Sequence, residues 1–320
     1  MHKLTKIQTL LKFIKMNEFI EEIPIDTNCE VCESNKSRQL RETISLGNNH
    51  FVYFPIHCCE NCGFIFQKKK FSKEFYNHYY SKIYREITFN SKRPPAMYLQ
   101  DQKIRGEKLY KFLRKYIPTK GKMVDIGSSV GLMMLPFIKK GWDCYGCDPI
   151  ESYVNYGKEV HNLPVECIQS ENLKLKNNSI DLFLILGSLE HVVDVNLIFQ
   201  KILKAAKKNA LIVLEARGDP LGDTKKYFNF NHHRYFLNNT LELILIKYGF
   251  KPILTTKYPI SGNTRQGTIF SIARLEGNKI SKNFNNVIKY GKRETFDDVY
   301  YKLKYYDYLS EQKPLELLLR

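Results

Sequence analysis

Two pairs of cysteines with the same spacing lie near the start of the chain. Cys29 and Cys32 form the first CxxC pair, and Cys59 and Cys62 form the second, with 26 residues between the pairs. Two such turns separated by a short hairpin are typical of a zinc ribbon, in which each turn directs two sulfur atoms at one tetrahedral ion. Four thiolates leave no open coordination position, so the predicted zinc is structural rather than catalytic.

Cys58 is an alternative metal ligand, because it forms a CxxxC pair with Cys62. We favour Cys59, which repeats the spacing of the first pair, and the following Gly63 permits a turn after the second knuckle. This clustering of cysteines suits a metal site in a reduced compartment better than a disulfide framework. The remaining cysteines fall in predicted strands or at their ends and are interpreted as core residues: Cys144, Cys147 and Cys167.

A glycine turn with two carboxylates indicates a nucleoside site. The segment VDIGSSVG places Asp125 before Gly127 and Gly131, a GxxxG pattern that differs from the GxGxxG of a dinucleotide site. A carboxylate beside this turn would repel a pyrophosphate but attract an ammonium group. Asp148 follows Gly127 by 21 positions, where a carboxylate can accept hydrogen bonds from both ribose hydroxyls. A nucleoside with a cationic amino-acid tail fits both carboxylates, and S-adenosylmethionine is such a molecule.

An alternation of strands and helices positions these residues. Continuous apolar strands between helices predict an α/β fold with a parallel, Rossmann-like sheet covered on both faces. Two of the predicted helices have clear end signals. The helix over 131–141 ends at Gly141, and the helix NTLELILIKYG has Asn239 as its expected N-cap. The predicted strands are 122–129, 142–149, PVECIQS, 179–192, 209–217, KPILTTKY and GTIFSIARL.

Ligands of such open sheets bind at the carboxyl ends of the strands, near the point where the strand order reverses. We therefore expect the ligand-binding residues in the segments that follow the strands. These segments are 125–131, 148–149, 170–172 and 187–191.

With these motifs, residues 105–276 resemble the class I S-adenosylmethionine-dependent methyltransferases. The resemblance lies in VDIGSSVG, YGCDP, SENLKLKNNSIDLFLILGSLEHV and the terminal strand pair. The segments CEVC and CENCGFIFQ ahead of such a core look like those of bacterial methyltransferases with an N-terminal zinc-binding domain. Many of those enzymes act on nucleotide-linked sugars for surface polysaccharides or glycosylated metabolites. The resemblance implies a Rossmann-like methyltransferase sheet with a small zinc ribbon, S-adenosylmethionine as cofactor and a sugar or nucleotide sugar as acceptor.

The resemblance also implies roles for individual residues. Asp125, Gly127 and Gly131 would surround the methionine end of the cofactor, and Asp148 would bind the ribose. Glu171 and Asn172 would lie near the adenine. The full set of expected cofactor-binding residues is Asp125, Gly127, Ser128, Gly131, Asp148, Pro149, Glu171, Asn172 and Gly187.

Three features depart from the pattern of these relatives. Ser129 occupies the middle glycine of the usual GxGxG turn. The sugar C-methyltransferases of the group carry a Glu-His pair where this chain has Asn231 and His232, or His232 and His233. They also have a further C-terminal α/β domain, for which the roughly 44 residues after the last predicted strand are too few. The last two departures favour O-methylation of a hydroxyl over C- or N-methylation.

Methyl transfer to a hydroxyl needs a group that takes up the acceptor's proton while the methyl group is delivered in line. Histidine is the leading side-chain type for this base, and His191, His232 and His233 are the candidates. His191 follows the fourth predicted strand, where it could equally brace the loop. The other two lie in the loop after the fifth strand and are otherwise exposed loop residues. Tyr79 and Tyr80 could contact the acceptor, or simply pack.

We expect five segments along the chain. They are 1–26, an amphipathic helix; 27–67, the zinc ribbon; 68–104, a helical connector that covers the acceptor; 105–276, the S-adenosylmethionine-binding core; and 277–320, a helical extension. The extension has two open roles, a contact in a homo-oligomer or a lid over the acceptor. No apolar run approaches the ~20 residues of a membrane helix, and no secretory signal is evident, so we expect a cytoplasmic protein.

The net charge of +17 leaves other functions to consider. Lysines are scattered rather than arranged in a lysine–aromatic stripe, which argues against a nucleic-acid partner and for a small-molecule acceptor. The alternatives are a methyltransferase that acts on RNA or protein, and a non-catalytic binding module that keeps the fold. The presence of Asp125, Asp148 and both glycines argues against the module, and the missing GxGxxG argues against a dinucleotide-dependent oxidoreductase.

Overall fold

Antiparallel strands form the front part of the computed structural model, which describes residues 25–47, 50–84, 93–218, 227–257, 260, 262–263, 265, 267–277 and 294–316. β1 pairs with β5, and β2, β3 and β4 pair in that order, so the predicted hairpin lies between the two cysteine pairs. The bounds of these strands are β1 (Ile25–Asp26), β2 (Ser37–Gly47), β3 (His50–Cys59), β4 (Ile65–Gln67) and β5 (Lys69–Lys70).

Among the residues that the structure describes, α1 (Lys73–His78) and α2 (Ala96–Leu113) follow the front strands. α1 begins after Ser72, whose hydroxyl accepts a hydrogen bond from the backbone N–H of Phe75 at 3.1 Å. It continues into a π-helical turn, Tyr79–Ile83, which carries an aromatic stretch towards the centre of the molecule.

The central sheet has seven strands in the order β12-β13-β10-β9-β6-β7-β8. The five strands from β10 to β8 are parallel, and β13 is antiparallel to both of its neighbours. The chain order reverses beside β6, which confirms the predicted Rossmann-like α/β fold with its switch point. The bounds are β6 (Lys122–Ile126), β7 (Asp143–Asp148), β8 (Val165–Cys167), β9 (Ile180–Leu186), β10 (Ala206–Arg217), β11 (Arg234–Tyr235, outside this sheet), β12 (Phe250–Lys257) and β13 (Thr268–Leu275).

Helices cover both faces of the central sheet. In β9, Leu182 and Leu184 join one cluster of buried side chains, whereas Phe183 and Ile185 join the other. The first cluster contains side chains of α2, α3 (Leu135–Lys139) and α4 (Glu151–His161), and the second contains those of α5 (Val195–Ala205) and α6 (Asn238–Lys247). Burial on both faces explains the continuous apolar strands and fixes their carboxyl ends.

The short strand β11 ties the central part of the chain to the front sheet. Arg234 pairs with Phe66 and Tyr235 with Ile65, so the front sheet has four strands in the order β11-β4-β3-β2. Because β11 is held by β4, the front sheet also positions the residues that immediately precede β11.

Two of the predicted elements around the switch point are shorter than expected. The strand predicted over 179–192 ends at Leu186, because Gly187 adopts a positive φ of 67° and the chain turns away from the sheet. The helix predicted over 131–141 begins with a 3-10 turn, Leu132–Met134, and only then becomes α-helical.

The expected N-cap of α6 is wrong by two residues. The helix begins at Asn238, so the capping position is Leu237 rather than Asn239. A leucine side chain cannot cap, and the hydroxyl of Thr240 instead accepts a hydrogen bond from the Leu237 N–H at 2.9 Å.

The ends of the chain are described in part. The helix predicted for 1–26 lies outside the described residues, apart from Ile25 and Asp26, which form β1. Within the expected extension 277–320, α7 (Phe296–Glu316) packs on the front sheet, with Val299 buried among its aromatic side chains. No helix in the described ranges is both long enough and apolar enough to cross a membrane.

Candidate active site

A cavity of about 730 Å³ opens at the carboxyl ends of β6, β7, β9 and β10. The loops after these strands form one side of it. Other lining residues belong to α2, to the π-helical turn and the residue after it, to the 3-10 turn after β8 and to the segment before β11. Asn263, Arg265 and Gly267, together with Thr268 at the start of β13, complete the lining. Of the predicted cofactor-binding and catalytic residues, three do not line the cavity: Gly131, Asn172 and His233. The predicted residues that do line it are Asp125, Gly127, Ser128, Asp148, Pro149, Glu171, Gly187, His191 and His232.

The turn after β6 requires a glycine at position 127. Gly127 has a φ of 78°, and a Cβ atom there would lie 2.4 Å from the Cβ of Ser188. The Ser188 hydroxyl is itself fixed, since it donates a hydrogen bond to the Ile126 carbonyl at 2.7 Å. The adjacent Ser128 has a buried hydroxyl without a hydrogen-bond partner among the described residues. Such a group fits a polar ligand in the cavity.

Asp148 is fixed by the turn that it faces. Its Oδ2 accepts a hydrogen bond from the Ser129 N–H at 2.8 Å, and its Oδ1 accepts one from the Ile150 N–H at 3.0 Å. Ser129 has a φ of 55°, so the turn keeps the left-handed conformation that glycine adopts in the usual motif. A carboxylate oxygen can accept more than one hydrogen bond, so Asp148 can accept from ribose hydroxyls in addition to these backbone groups.

Asp125 is a buried acid at the end of β6, with 2 % of its surface exposed. Burial and, secondarily, the charge of Asp148 raise the pKa of Asp125 to about 7, although Arg105 acts in the opposite direction. An adjacent cation would favour the ionised form of this carboxyl. The site therefore has a group whose protonation responds to a positively charged ligand.

Gly131 and Glu171 support the site in different ways. A Cβ atom at Gly131, where φ is 89°, would lie 2.6 Å from Val165 Cγ1, so glycine allows the turn to pack against β8. The Oε1 of Glu171 accepts hydrogen bonds from the N–H groups of Val193 and Asp194 at 3.0 and 3.3 Å. Although Glu171 lines the cavity, its carboxylate thus braces the loop after β9.

His191 lies in that loop and lines the cavity. Its Nδ1 is 2.7 Å from the backbone carbonyl oxygen of Asn231. A carbonyl oxygen only accepts, so Nδ1 carries a proton, and the neutral ring has its lone pair on Nε2. The ring contacts Tyr80 and Tyr84, with 5.4 Å between centroids in each pair.

His232 is the neighbouring histidine, with its ring centroid 4.8 Å from that of His191. Its Nδ1 lies 3.3 Å from Nδ2 of Asn229. The backbone fixes this amide, since Oδ1 accepts from the Asn231 N–H and Nδ2 donates to the Tyr227 carbonyl. Nδ2 therefore also donates to His232, and the neutral ring carries its proton on Nε2. Burial, followed by the charge of His191, lowers the pKa of His232 well below its usual value, so this histidine is a neutral donor.

His233 is fully buried and lies outside the cavity lining. Its ring packs edge-on against Tyr76 with 4.2 Å between centroids, and its Nε2 is 3.4 Å from the Tyr80 hydroxyl. Its backbone N–H donates a hydrogen bond to the Glu190 carbonyl at 2.9 Å. Burial lowers the pKa of His233 well below its usual value. The structure thus brings two of the three candidate histidines to the cavity.

The two cysteine pairs lie together in the ribbon of residues 27–67, which we call the front module. The Sγ atoms of Cys29 and Cys62 are 3.6 Å apart, and those of Cys32 and Cys59 are 3.3 Å apart. All four Sγ atoms lie within 4.8 Å of one another. A tetrahedral zinc with Zn–S bonds of ~2.3 Å places its ligands about 3.8 Å apart, so this set fits the ion. The alternative ligand, Cys58, is outside the cluster and directs its Sγ to the Cys59 carbonyl at 3.7 Å.

A buried ion pair joins the first cysteine turn to the loop that carries His191. The carboxylate of Glu30 accepts hydrogen bonds from Nη2 of Arg234 at 2.6 Å and from Nζ of Lys70 at 2.5 Å. Burial alone would raise the pKa of Glu30, but the charges of Arg234 and Lys70 lower it to about 2. The guanidinium of Arg234 also donates hydrogen bonds to the carbonyl oxygens of Leu189, Val192 and Val193.

Several residues of this site were not indicated by the sequence. Glu30 and Arg234 are 204 positions apart, and no local pattern relates them. Of the two tyrosines considered as acceptor contacts, Tyr80 lines the cavity and Tyr79 does not. The hydroxyl of Tyr79 instead donates a hydrogen bond to Oδ1 of Asn231. The sequence shows only that tyrosines are spaced along a helix. The π-helical turn determines which of them faces the cavity.

Comparison with known proteins gives one family match. Residues 124–214 match the family model described as "Methyltransferase domain". Similar solved structures include S-adenosylmethionine-dependent methyltransferases from Archaeoglobus fulgidus (19% identity, 56% of this chain and 100% of that chain, TM-score 0.43) and Methanosarcina mazei (16%, 52% and 97%, 0.44). Another comes from Mesorhizobium loti (17%, 53% and 99%, 0.44). No curated protein sequence matches the chain.

Proposed function

We propose that this chain, whose residues 124–214 match the methyltransferase-domain family model, is an S-adenosylmethionine-dependent methyltransferase that methylates a hydroxyl group of a sugar, either a nucleotide-linked sugar or a precursor of a surface polysaccharide. One observation carries the proposal. His191, whose Nδ1 proton is held by a backbone carbonyl, lines the same cavity as Asp125 and Asp148. A base for the acceptor and carboxylates for the cofactor therefore share one site.

The carboxyl ends of β6 and β7 form the cofactor half of the site. Bound S-adenosylmethionine supplies the electrophilic methyl group. Asp148 accepts hydrogen bonds from the ribose, and Asp125 attracts the ammonium group. The Ser128 hydroxyl, which has no hydrogen-bond partner within the described ranges, offers a further hydrogen bond. Gly131 supports the turn by its packing. We assign cofactor binding to Asp125, Gly127, Ser128, Asp148, Pro149, Glu171 and Gly187, with Asn172 in the neighbouring 3-10 turn.

The two cavity histidines form the acceptor half of the site. A sugar hydroxyl is a poor nucleophile near neutral pH, and His191 accepts its proton at Nε2 as the carbon–oxygen bond forms. His232 acts as a hydrogen-bond donor that orients the acceptor, because its proton is on Nε2. Asn231, or alternatively His232, stands where the C-methyltransferases that this chain resembles carry a glutamate, and the lack of that glutamate supports oxygen as the methylated atom.

We propose that the four clustered cysteines bind a structural zinc ion. We further propose that residues 27–67 and 68–104 act together as a cover on the core 105–276. The lining of the cavity by Tyr80 and Tyr84 supports this arrangement, because both residues belong to the connector. The zinc then has no part in the chemistry and holds the cover in place.

A transfer assay tests the acceptor. The protein is incubated with methyl-labelled S-adenosylmethionine and, separately, with nucleotide sugars, oligosaccharides, RNA and a mixture of proteins. We expect label on a sugar oxygen, assigned by nuclear magnetic resonance of the product, together with release of S-adenosylhomocysteine. Label on carbon or nitrogen would overturn the proposed atom, and label confined to RNA or protein would overturn the acceptor class.

Binding of the cofactor should tighten as the pH rises from about 6 to about 8. Asp125 has a pKa of about 7 in the ligand-free protein, so binding an ammonium group at lower pH must displace its proton. The association constant should rise by up to about tenfold per pH unit below this pKa and level off above it. Titration calorimetry in buffers of different ionisation enthalpy measures both the affinity and the released proton.

The Asp125→Asn variant is the matched control for this pH dependence. It keeps the size of the side chain but has no carboxyl proton to lose. Its affinity should be lower than that of the unchanged protein and nearly constant between about pH 6 and about pH 7. The same slope in both proteins would exclude Asp125 as the origin of the effect.

A further inference from the structure

The wall of the cavity at the end of β10 is basic. Arg217, the last residue of β10, and Arg265 both line the cavity, as does His232. After burial and His191, the charges of these two arginines are the next causes that lower the pKa of His232. The arginines therefore lie close to the acceptor half of the site.

The guanidinium of Arg265 packs directly against Gly187, which has no side chain in its way. Its Nη2 donates a hydrogen bond to the Gly187 carbonyl at 3.1 Å. A Cβ atom at Gly187 would lie 2.2 Å from its Nη1, so a larger residue would displace the group. A guanidinium has five N–H donors, and the Gly187 carbonyl accepts from one of them. Arg217 is exposed at the cavity wall.

Carboxylates are divided unequally around the cavity. In the described part of the chain, those that line it are Asp125, Asp148 and Glu171, which belong to the cofactor half or brace the loop after β9. The described residues that line the basic wall beside Arg217 and Arg265 include no carboxylate.

Two buried carboxylates lie behind the basic wall. Both oxygens of Glu215 accept hydrogen bonds from Nη2 of Arg105, at 2.7 and 2.6 Å, so its charge is already paired. Glu190 accepts a hydrogen bond from the Arg217 backbone N–H at 2.8 Å, and burial raises the pKa of Glu190 above its usual value. Arg105 thus pairs with Glu215, whereas Arg217 and Arg265 present their guanidinium groups at the cavity wall.

We propose that Arg217 and Arg265 form a subsite for an anionic group of the acceptor. Their planar guanidinium groups suit the oxygens of a phosphate or a carboxylate. This inference rests on the proposed sugar methylation and specifies it: the sugar is joined to a phosphate or carries a carboxylate of its own. Anchoring that group at the arginines would hold a hydroxyl near His191 and His232.

The test is equilibrium binding to the full-length protein saturated with S-adenosylhomocysteine. The probes are a nucleoside diphosphate, glucuronate and the neutral methyl glucoside, each titrated by calorimetry. Arg217→Gln and Arg265→Gln should each weaken binding of the anionic probe by about tenfold or more, because a charged hydrogen bond is lost. The matched control is Lys208→Gln, which removes a positive charge at the opposite end of β10 and should leave binding unchanged.

The outcomes separate the inference from the proposed function. Binding of the nucleoside diphosphate but not glucuronate identifies a phosphate-linked sugar, and the reverse identifies an acidic sugar. Anion binding that both arginine variants retain, or no anion binding at all, overturns the subsite. If the anion binds through the arginines but no sugar is methylated in the transfer assay, the subsite stands and the sugar assignment fails. Arg265→Lys keeps the positive charge at this position. Anion binding that is retained in Arg265→Lys but lost in Arg265→Gln would show that the loss comes from the missing charge and not from misfolding.

Discussion

Replacing His191 with asparagine should lower kcat by about 10²- to 10⁴-fold, the usual contribution of a general base. Asparagine places its Nδ2 where histidine has Nδ1, so the hydrogen bond to the Asn231 carbonyl can persist while the basic Nε2 is lost. Cofactor affinity should stay within about twofold, because His191 belongs to the acceptor half. The measurement is kcat with saturating acceptor, together with calorimetric binding of S-adenosylmethionine.

His232→Gln is the comparison that decides between the two cavity histidines. Glutamine keeps an N–H donor near the position of Nε2, so this variant should retain most of its activity if His232 only orients the acceptor. The pH–rate profile adds a second readout. The fall in rate at acidic pH should be absent in His191→Asn and should remain in His232→Gln. A large loss in His232→Gln with little loss in His191→Asn would reverse the two roles.

Removing the proposed zinc ion should lower methyl transfer by at least about 100-fold while leaving the central sheet folded. Structural zinc contributes about 10–16 kcal/mol to the folding of small zinc modules, which is comparable to the whole stability of a domain. Cys59→Ser should therefore release the metal and disorder the front module. Glu30 would then no longer hold Arg234, and the loop with His191 would shift. Displacement of a catalytic group by about 1 Å costs on the order of 10²-fold, so activity should fall by at least that factor.

Cys58→Ser is a stringent control for this experiment. Cys58 is buried beside Cys59 but lies outside the cluster of four, so its replacement should leave the metal content unchanged. Metal is measured by mass spectrometry, and cofactor binding by calorimetry. Retention of one zinc per chain in Cys59→Ser, with loss in Cys58→Ser, would show that the ligand set is wrong. Full activity of a metal-free protein would show that methyl transfer does not depend on the metal-held front module.

The positions of the residues that we assign to cofactor binding could be predicted because their signals are local. Asp125 lies at the end of one apolar strand, Gly127 follows that strand directly, and Asp148 ends the next, so strand alternation alone brings them to one edge of the sheet. Positions in a parallel sheet follow from chain order and the handedness of the crossovers. The residues that bind at such an edge are therefore recognisable before any contact is known.

The acceptor half depends on contacts that no local pattern encodes. His232 and His233 are adjacent in the sequence, yet one lines the cavity and the other is fully buried. The pairing of Arg234 with Phe66 decides between them, because it fixes the backbone that follows both histidines. The protonated nitrogen of His191 likewise depends on Asn231, which lies 40 positions away.

The pairing of β11 with β4 also has a consequence for synthesis of the chain. β4 is complete at Gln67, but its partner Arg234 is made roughly 170 residues later. At typical rates of translation this interval is on the order of 10 to 30 seconds. During that time the emerging ribbon has an unpaired strand edge, the kind of surface on which chains associate wrongly. Early capture of zinc by the nascent ribbon would then serve to keep this edge short and ordered until the rest of the protein arrives.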